Sequence, residues 1–142
     1  MDFNNYFERY SAEEMLSALP RNYTRAMALY NNDIVDDQLE DYNFERLDDF
    51  IKNVNLGIPD TVRITQFGID GPPETVILQY DGTIIKYTAD TTRVEAIQNY
   101  YTFYGHKIYT DILQRYGMVY RTYNLIRCNN NIFQFASKII QR

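Results

Sequence analysis

The sequence predicts an α+β fold: N-terminal helices, then a mostly antiparallel sheet of about five strands with helices packed on one face. Three observations predict it. Leu47, Phe50, Ile51 and Val54 recur at helical spacing, which marks an amphipathic helix. Thr75–Tyr80 and Thr83–Thr88 are β-branched runs joined by Asp81-Gly82, and Asp-Gly suits the type I′ turn of a hairpin. Helical signals fill the chain before residue 60, and strand signals dominate after it.

In order, Ser11-x-x-Glu14 is a capping box ahead of Met15, Leu16 and Leu19, and Pro20 ends that helix. Tyr23, Met27 and Tyr30 fall at i, i+4, i+7 and suggest a second short helix, closed by Asn31-Asn32-Asp33. Ile34-Val35 is a short apolar step that fits an edge strand or a buried plug. Asn43 stands at the N-cap of the clearest helix, and Gly57 and Pro59 end it. Thr61–Phe67 alternates as a strand. Thr92-x-x-Glu95 opens a second capping box, and Val94, Ile97, Tyr101 and Tyr104 predict a helix of about three turns before Gly105. Lys107–Leu113 and Met118–Ile126 read as two strands turning at Tyr116-Gly117. Ile132, Phe135, Ala136, Ile139 and Ile140 predict a C-terminal helix over residues 129–142. The organisation is one domain over residues 1–142, with a helical extension over 1–31 and an α+β core over 32–128.

Composition narrows the function. The single cysteine, Cys128, excludes an internal disulfide and a multi-thiolate zinc site. His106 is the only histidine and reads as a solvated or turn residue. The net charge of −5 divides unevenly: −8 over residues 1–60 and +3 over 61–142. No basic stripe runs along the chain, so direct nucleic-acid binding is not expected. No apolar run reaches the roughly 18 residues of a membrane span. The opening Met1-Asp2-Phe3-Asn4-Asn5 lacks the regions of a signal peptide. The chain as written is therefore expected to be soluble and cytoplasmic, and extracytoplasmic if a leader has been removed.

From Asn32 to Cys128 the order of motifs resembles an uncharacterised bacterial family of small lipoprotein-type domains, domain of unknown function 4362. The resemblance is carried by Asn32-Asp33-Ile34-Val35, the helix pattern Asn43, Leu47, Phe50, Ile51 and Val54, and the strand Arg63-Ile64-Thr65-Gln66-Phe67. Asp70-Gly71-Pro72-Pro73, Leu78-x-Tyr80-Asp81-Gly82, Ile85-x-Tyr87 and Asp90-x-x-Arg93 complete it. The family tends to carry two cysteines near its end. Cys128 matches one, and Tyr109 stands at the other. Loss of the pair fits a reducing compartment. The resemblance implies a fold and brings no activity with it.

The candidate site is an acidic stretch. Asp33, Asp36, Asp37, Glu40, Asp41, Glu45, Asp48 and Asp49 face one base, Arg46. Glu45, Asp48 and Asp49 also suit the positive end of a helix dipole. The stretch lacks the alternating ligands, central Gly and closing Glu of a calcium loop, so no metal is expected. No Gly-x-Ser-x-Gly, Gly-rich phosphate loop or recognisable catalytic triad is present, so no catalytic residue and no cofactor is assigned. Tyr100, Tyr101, Phe103 and Tyr104 form a dense patch that a helix cannot bury entirely, and Tyr120 and Tyr123 point to opposite faces of their strand. The reading is a non-enzymatic acidic binding module. Asp33, Asp36, Asp37, Glu40, Asp41, Asp48 and Asp49 would meet a basic protein partner. Tyr100, Tyr101, Tyr104, Tyr120 and Tyr123 would supply aromatic contacts. One version is a bacterial or phage inhibitor or immunity protein whose carboxylates mimic nucleic-acid phosphates. The alternative is a small-molecule sensor or sponge with a tyrosine-lined pocket between the sheet and the Tyr100–Tyr104 helix.

Overall fold

The computed structural model describes residues 6–37, 40–68, 73–92 and 99–142. Helices α1 (Tyr6–Arg9), α2 (Ala12–Ser17) and α3 (Arg25–Tyr30) come first, followed by strands β1 (Ile34–Asp37) and β2 (Glu40–Tyr42). Helix α4 (Phe44–Leu56) leads into β3 (Asp60–Phe67), β4 (Glu74–Tyr80), β5 (Ile85–Ala89), β6 (Tyr101–Arg115), β7 (Met118–Arg127) and β8 (Ile132–Gln141). The sheet order is β2-β1-β3-β4-β5-β6-β7-β8. Among the described residues only β1 and β3 run parallel, with β2 and α4 in the connection between them.

The fold is α+β as expected, but the sheet is larger. Eight strands replace about five: β1 and β2 form from the Ile34-Val35 step and the acidic stretch, β8 forms from the predicted C-terminal helix, and β6 extends back into the other predicted helix. Tyr101–Gly105 belongs to β6 and pairs with Ile85–Ala89. The remainder of that predicted helix, residues 93–98, lies outside the described residues. Ile132–Gln141 pairs with β7. Both segments are rich in aromatic and β-branched residues, and their alternation fits a pleat as well as their spacing fits a helix. Phe103 and Phe133, for instance, meet edge to face at 5.1 Å.

The sheet curls around α4. Phe44, Leu47 and Phe50 join one core with side chains from every strand except β2, and Ile51 and Val54 pack on it. The predicted apolar stripe is therefore the buried face. Gly57 closes the helix at φ 75°, with Ile58 N–H donating to Asn53 O. Asn43 occupies the N-cap but does not cap with its side chain; it takes φ 63° and donates to Asp33 O at 2.8 Å.

The helices cover both faces of the sheet rather than one. Alternation along β4 sends Val76 and Leu78 into the main core and Ile77 outward, under Ala12 and Leu16. Ser11 caps α2 as expected, accepting from Glu14 N–H. In the α3 region, Tyr23 and Ala28 pack on Val35, while Met27 and Tyr30 line an open groove of about 330 Å³. The hairpin at Asp81-Gly82 is present. Its connection is four residues, Asp81–Ile84, with Asp81 Oδ1 accepting from Thr83 and Ile84 N–H.

A β-bulge between Gly105 and Lys107 interrupts the β6–β7 ladder. A Cβ on Gly105 would lie 2.6 Å from Leu125 Cδ1 and 2.7 Å from Ile126 O. The carbonyl belongs to the ladder and cannot rotate away. Gly105→Ala is expected to cost about 1–3 kcal/mol in urea unfolding, while Gly117→Ala, whose Cβ meets nothing, loses only what its positive φ imposes.

Candidate functional site

Alternation along β1 decides where the acids go. Ile34 enters the main core and Val35 the outer cluster, so Asp36 follows Ile34 inward and Asp37 follows Val35 outward. The antiparallel register sets Asp36 opposite Asp41 and Asp37 opposite Glu40. Two like-charged pairs thus sit back to back, an arrangement that destabilises a sheet unless something answers the charge.

The outer pair is answered. Arg25 Nη2 lies 2.9 Å from Asp37 and 4.0 Å from Glu40, and the Tyr42 hydroxyl donates to Glu40. The inner pair, Asp36 and Asp41, has no cation in ion-pair contact among the described residues, although Lys138 and Arg142 act on Asp41 at longer range. Both lean instead on the backbone of β8. Ile139 N–H donates to Asp41 Oδ2 at 2.9 Å, and the Ser137 backbone supplies a hydrogen bond to Asp36. Beside them opens a cleft of about 420 Å³ lined by Asp36, Asp41, Tyr120, Ser137 and Ile139.

Burial pushes the Asp36 carboxyl up to about 6, with the charges of Asp41 and Asp37 adding to the effect. Asp41 is also raised by burial, against the Ile139 hydrogen bond and the charges of Lys138 and Arg142. The cleft therefore holds a carboxyl that exchanges its proton near neutral pH and a second acid beside it. It is suited to a cationic group.

The other predicted residues divide sharply. Asp33 is buried, at 2% exposure. It pairs with Arg63 Nε at 2.7 Å and accepts from Tyr23 OH at 2.6 Å and Thr65 OH at 2.9 Å. It is a structural charge, not a partner contact. Asp48 accepts from Tyr123 OH at 3.0 Å. Tyr123 is itself fully buried, which lifts its hydroxyl well above the usual range, so it too is withdrawn from any surface. Asp49 and Glu45 are exposed. Arg46, the one base of the stretch, forks onto Asp60 at 2.8 and 2.5 Å, outside the stretch, and feels Asp49 only through its charge.

Of the tyrosines, Tyr120 reaches the cleft. Tyr100 packs on the outer cluster beside Ile77. Tyr101 and Tyr104 are exposed and, being on a strand, face opposite sides. The predicted pocket beneath a Tyr100–Tyr104 helix has no such helix to form it. The sequence reading missed Ser137 and Ile139, which lie in the segment taken for a helix. Phe133-x-Phe135 at period two was the available signal. Among the described residues no group of three His, Cys, Asp or Glu side chains is placed to hold a metal, and no helix is long and apolar enough to cross a membrane.

A family model for a domain of unknown function, DUF4362, matches residues 31–107. The chain belongs to the DUF4362 family. No curated protein and no solved structure matches it. The DUF4362 region contains the acid hairpin β1–β2, α4 and β3–β5. Ser137, Ile139 and Tyr120, which complete the cleft, lie beyond it, and α1, α2 and α3 precede it.

The raised Asp36 carboxyl has a definite sign. A folded-state value near 6 against an ordinary 3.8 means that the stability tied to its proton is full below about pH 4 and is lost as pH rises through about 6. Asp36→Asn is expected to stabilise the fold by on the order of 1–2 kcal/mol at pH 7.5 and by little at pH 4. Urea unfolding at the two pH values checks it.

Proposed function

We propose that this protein is a non-enzymatic binding module whose acidic cleft receives a basic side chain of a protein partner. The observation that carries this reading is the contrast between the two acid pairs. Arg25 neutralises Asp37 and Glu40, whereas Asp36 and Asp41 face a cleft with no cation in ion-pair contact among the described residues. A lysine or arginine from a partner would complete the inner pair as Arg25 completes the outer one. Tyr120 would flank its stem, because long cationic side chains lay their methylenes along apolar surface. Exposed Asp49 and Glu45 at the start of α4 would add to the long-range attraction.

An inhibitor or immunity protein is one form of such a module. It sets carboxylates where a nucleic acid would set phosphates on a basic enzyme. The proton held by Asp36 makes the affinity pH-dependent: a cationic group binds the deprotonated pair, so binding strengthens as pH rises through about 6.

The test is capture from host lysate at low and high salt, followed by titration calorimetry with the purified partner. Asp36→Asn with Asp41→Asn should weaken binding by roughly tenfold or more and flatten its salt dependence. Glu40→Gln, on the outer face, should change it little. Equal affinity of the double variant and the native chain would overturn the reading.

A further inference from the structure

The outward face of β4 and β5 carries a polar row. Register places Gln79 beside Lys86 and Ile77 beside Thr88. Such a row ordinarily faces water on the solvated side of an antiparallel sheet. Here Gln79 and Thr88 are fully buried and Lys86 is only 8% exposed. The cover is the segment bearing α1 and α2, together with Tyr100. Ala12 and Leu16 rest on Ile77. Gln79 Nε2 donates to Tyr10 O at 2.5 Å. Glu13 lies 3.7 Å from Lys86 Nζ, and the Phe7 ring centre lies 5.6 Å from it. Phe7 also meets Tyr104, the register partner of Lys86.

The cover fits this face poorly. Gln79 Oε1 and Thr88 Oγ1 have no hydrogen-bond partner among the described residues, although both are buried. A buried polar atom left unpaired opposes the burial that encloses it. The Lys86–Glu13 contact is long, with Glu13 substantially exposed. Helix α1 buries no residue. The family match begins at residue 31, after both helices.

We propose that residues 6–19 form a displaceable strap over an interaction face built from Gln79, Lys86, Thr88 and Tyr104, and that this face takes a protein segment carrying a carboxylate beside an aromatic ring. The strap supplies the template, since Glu13 and Phe7 are those two groups. A bare face offers the Lys86 ammonium to the carboxylate, the Tyr104 ring to the aromatic group, and the Gln79 amide and Thr88 hydroxyl to backbone groups. Its charge preference is opposite to that of the acidic cleft, so the two readings stand or fall separately.

The experiment uses the full chain. Hydrogen exchange should show Met15 and Ala18 amides exchanging roughly tenfold or more faster than those of α4 and β4. A fluorescent peptide of residues 6–19, added in trans, should bind saturably by anisotropy. Lys86→Gln in the protein should weaken it by roughly fivefold, and Glu13→Gln in the peptide should do the same. The peptide variant keeps the test informative even if the Lys86 variant folds poorly. Protection of Met15 and Ala18 equal to that of α4 would overturn the proposal. So would a peptide that fails to saturate, or one that ignores Glu13→Gln.

Discussion

The outer edge of β8 is the constraint around which this molecule is arranged. A sheet of eight strands that curls around one helix brings its two ends together, and strands left unpaired at such a seam expose a row of backbone donors and acceptors. Among the described residues β8 ladders only with β7. Side chains from the far end of the sheet take the place of a neighbouring strand. Gln66 of β3 donates to Phe135 O at 3.2 Å, Asp41 of β2 accepts from Ile139 N–H, and Asp36 of β1 takes a backbone hydrogen bond from Ser137. The contacts fall at residues 135, 137 and 139, the first of them in a bulge that interrupts the β7–β8 ladder. Two of the three closing groups are carboxylates. The seam is therefore closed by the same acids that line the cleft, and structure and recognition are tied to one pair of protons.

A second acid does the opposite work. Asp33 sits one residue before β1 and is wholly enclosed, with Arg63, Tyr23 and Thr65 answering its carboxylate and Asn43 answering its carbonyl. It links the N-terminal helical segment, the first strand, β3 and the turn into α4. A buried charge with this many partners fixes geometry more than it adds stability. Fixing the geometry here sets the alternation of β1, and the alternation sends Asp36 to the seam and Asp37 to Arg25. Eight acids in seventeen positions thus end as a structural hub at Asp33, an outer pair bound to Arg25, an inner pair without an ion-pair contact, and a helix start where Glu45 and Asp49 are exposed and Asp48 accepts from Tyr123. One composition carries four different electrostatic environments.

Much of this was legible in the residues. The period of Leu47, Phe50, Ile51 and Val54 fixed α4 and its buried face, and the β-branched runs around Asp81-Gly82 located the central hairpin. The motif order also identified the family. What failed did so for a shared reason. Tyr101–Gly105 and Ile132–Ile140 satisfy helical and strand spacing together, and the choice between them rests on pairing with β5 and β7, which are distant in sequence. Because β8 was read as a helix, the seam was invisible, and with it the difference between Asp36 and Asp37. Neighbours in sequence, those two acids look alike until the pleat sends them to opposite faces. Asp33 and Tyr123 were named as contacts because sequence reports side-chain chemistry and not burial.

Carbon-detected NMR titration of the Asp36 and Asp41 carboxyls, followed together with the amide protons of Ser137 and Ile139, tests the seam most directly. The account predicts that Asp36 titrates near pH 6 and that the Ser137 amide shifts with the same midpoint because it donates to Asp36, while the Ile139 amide follows the titration of Asp41, to which it donates. An Asp36 midpoint at the ordinary carboxylate value, with the Ser137 amide unmoved across it, would contradict it.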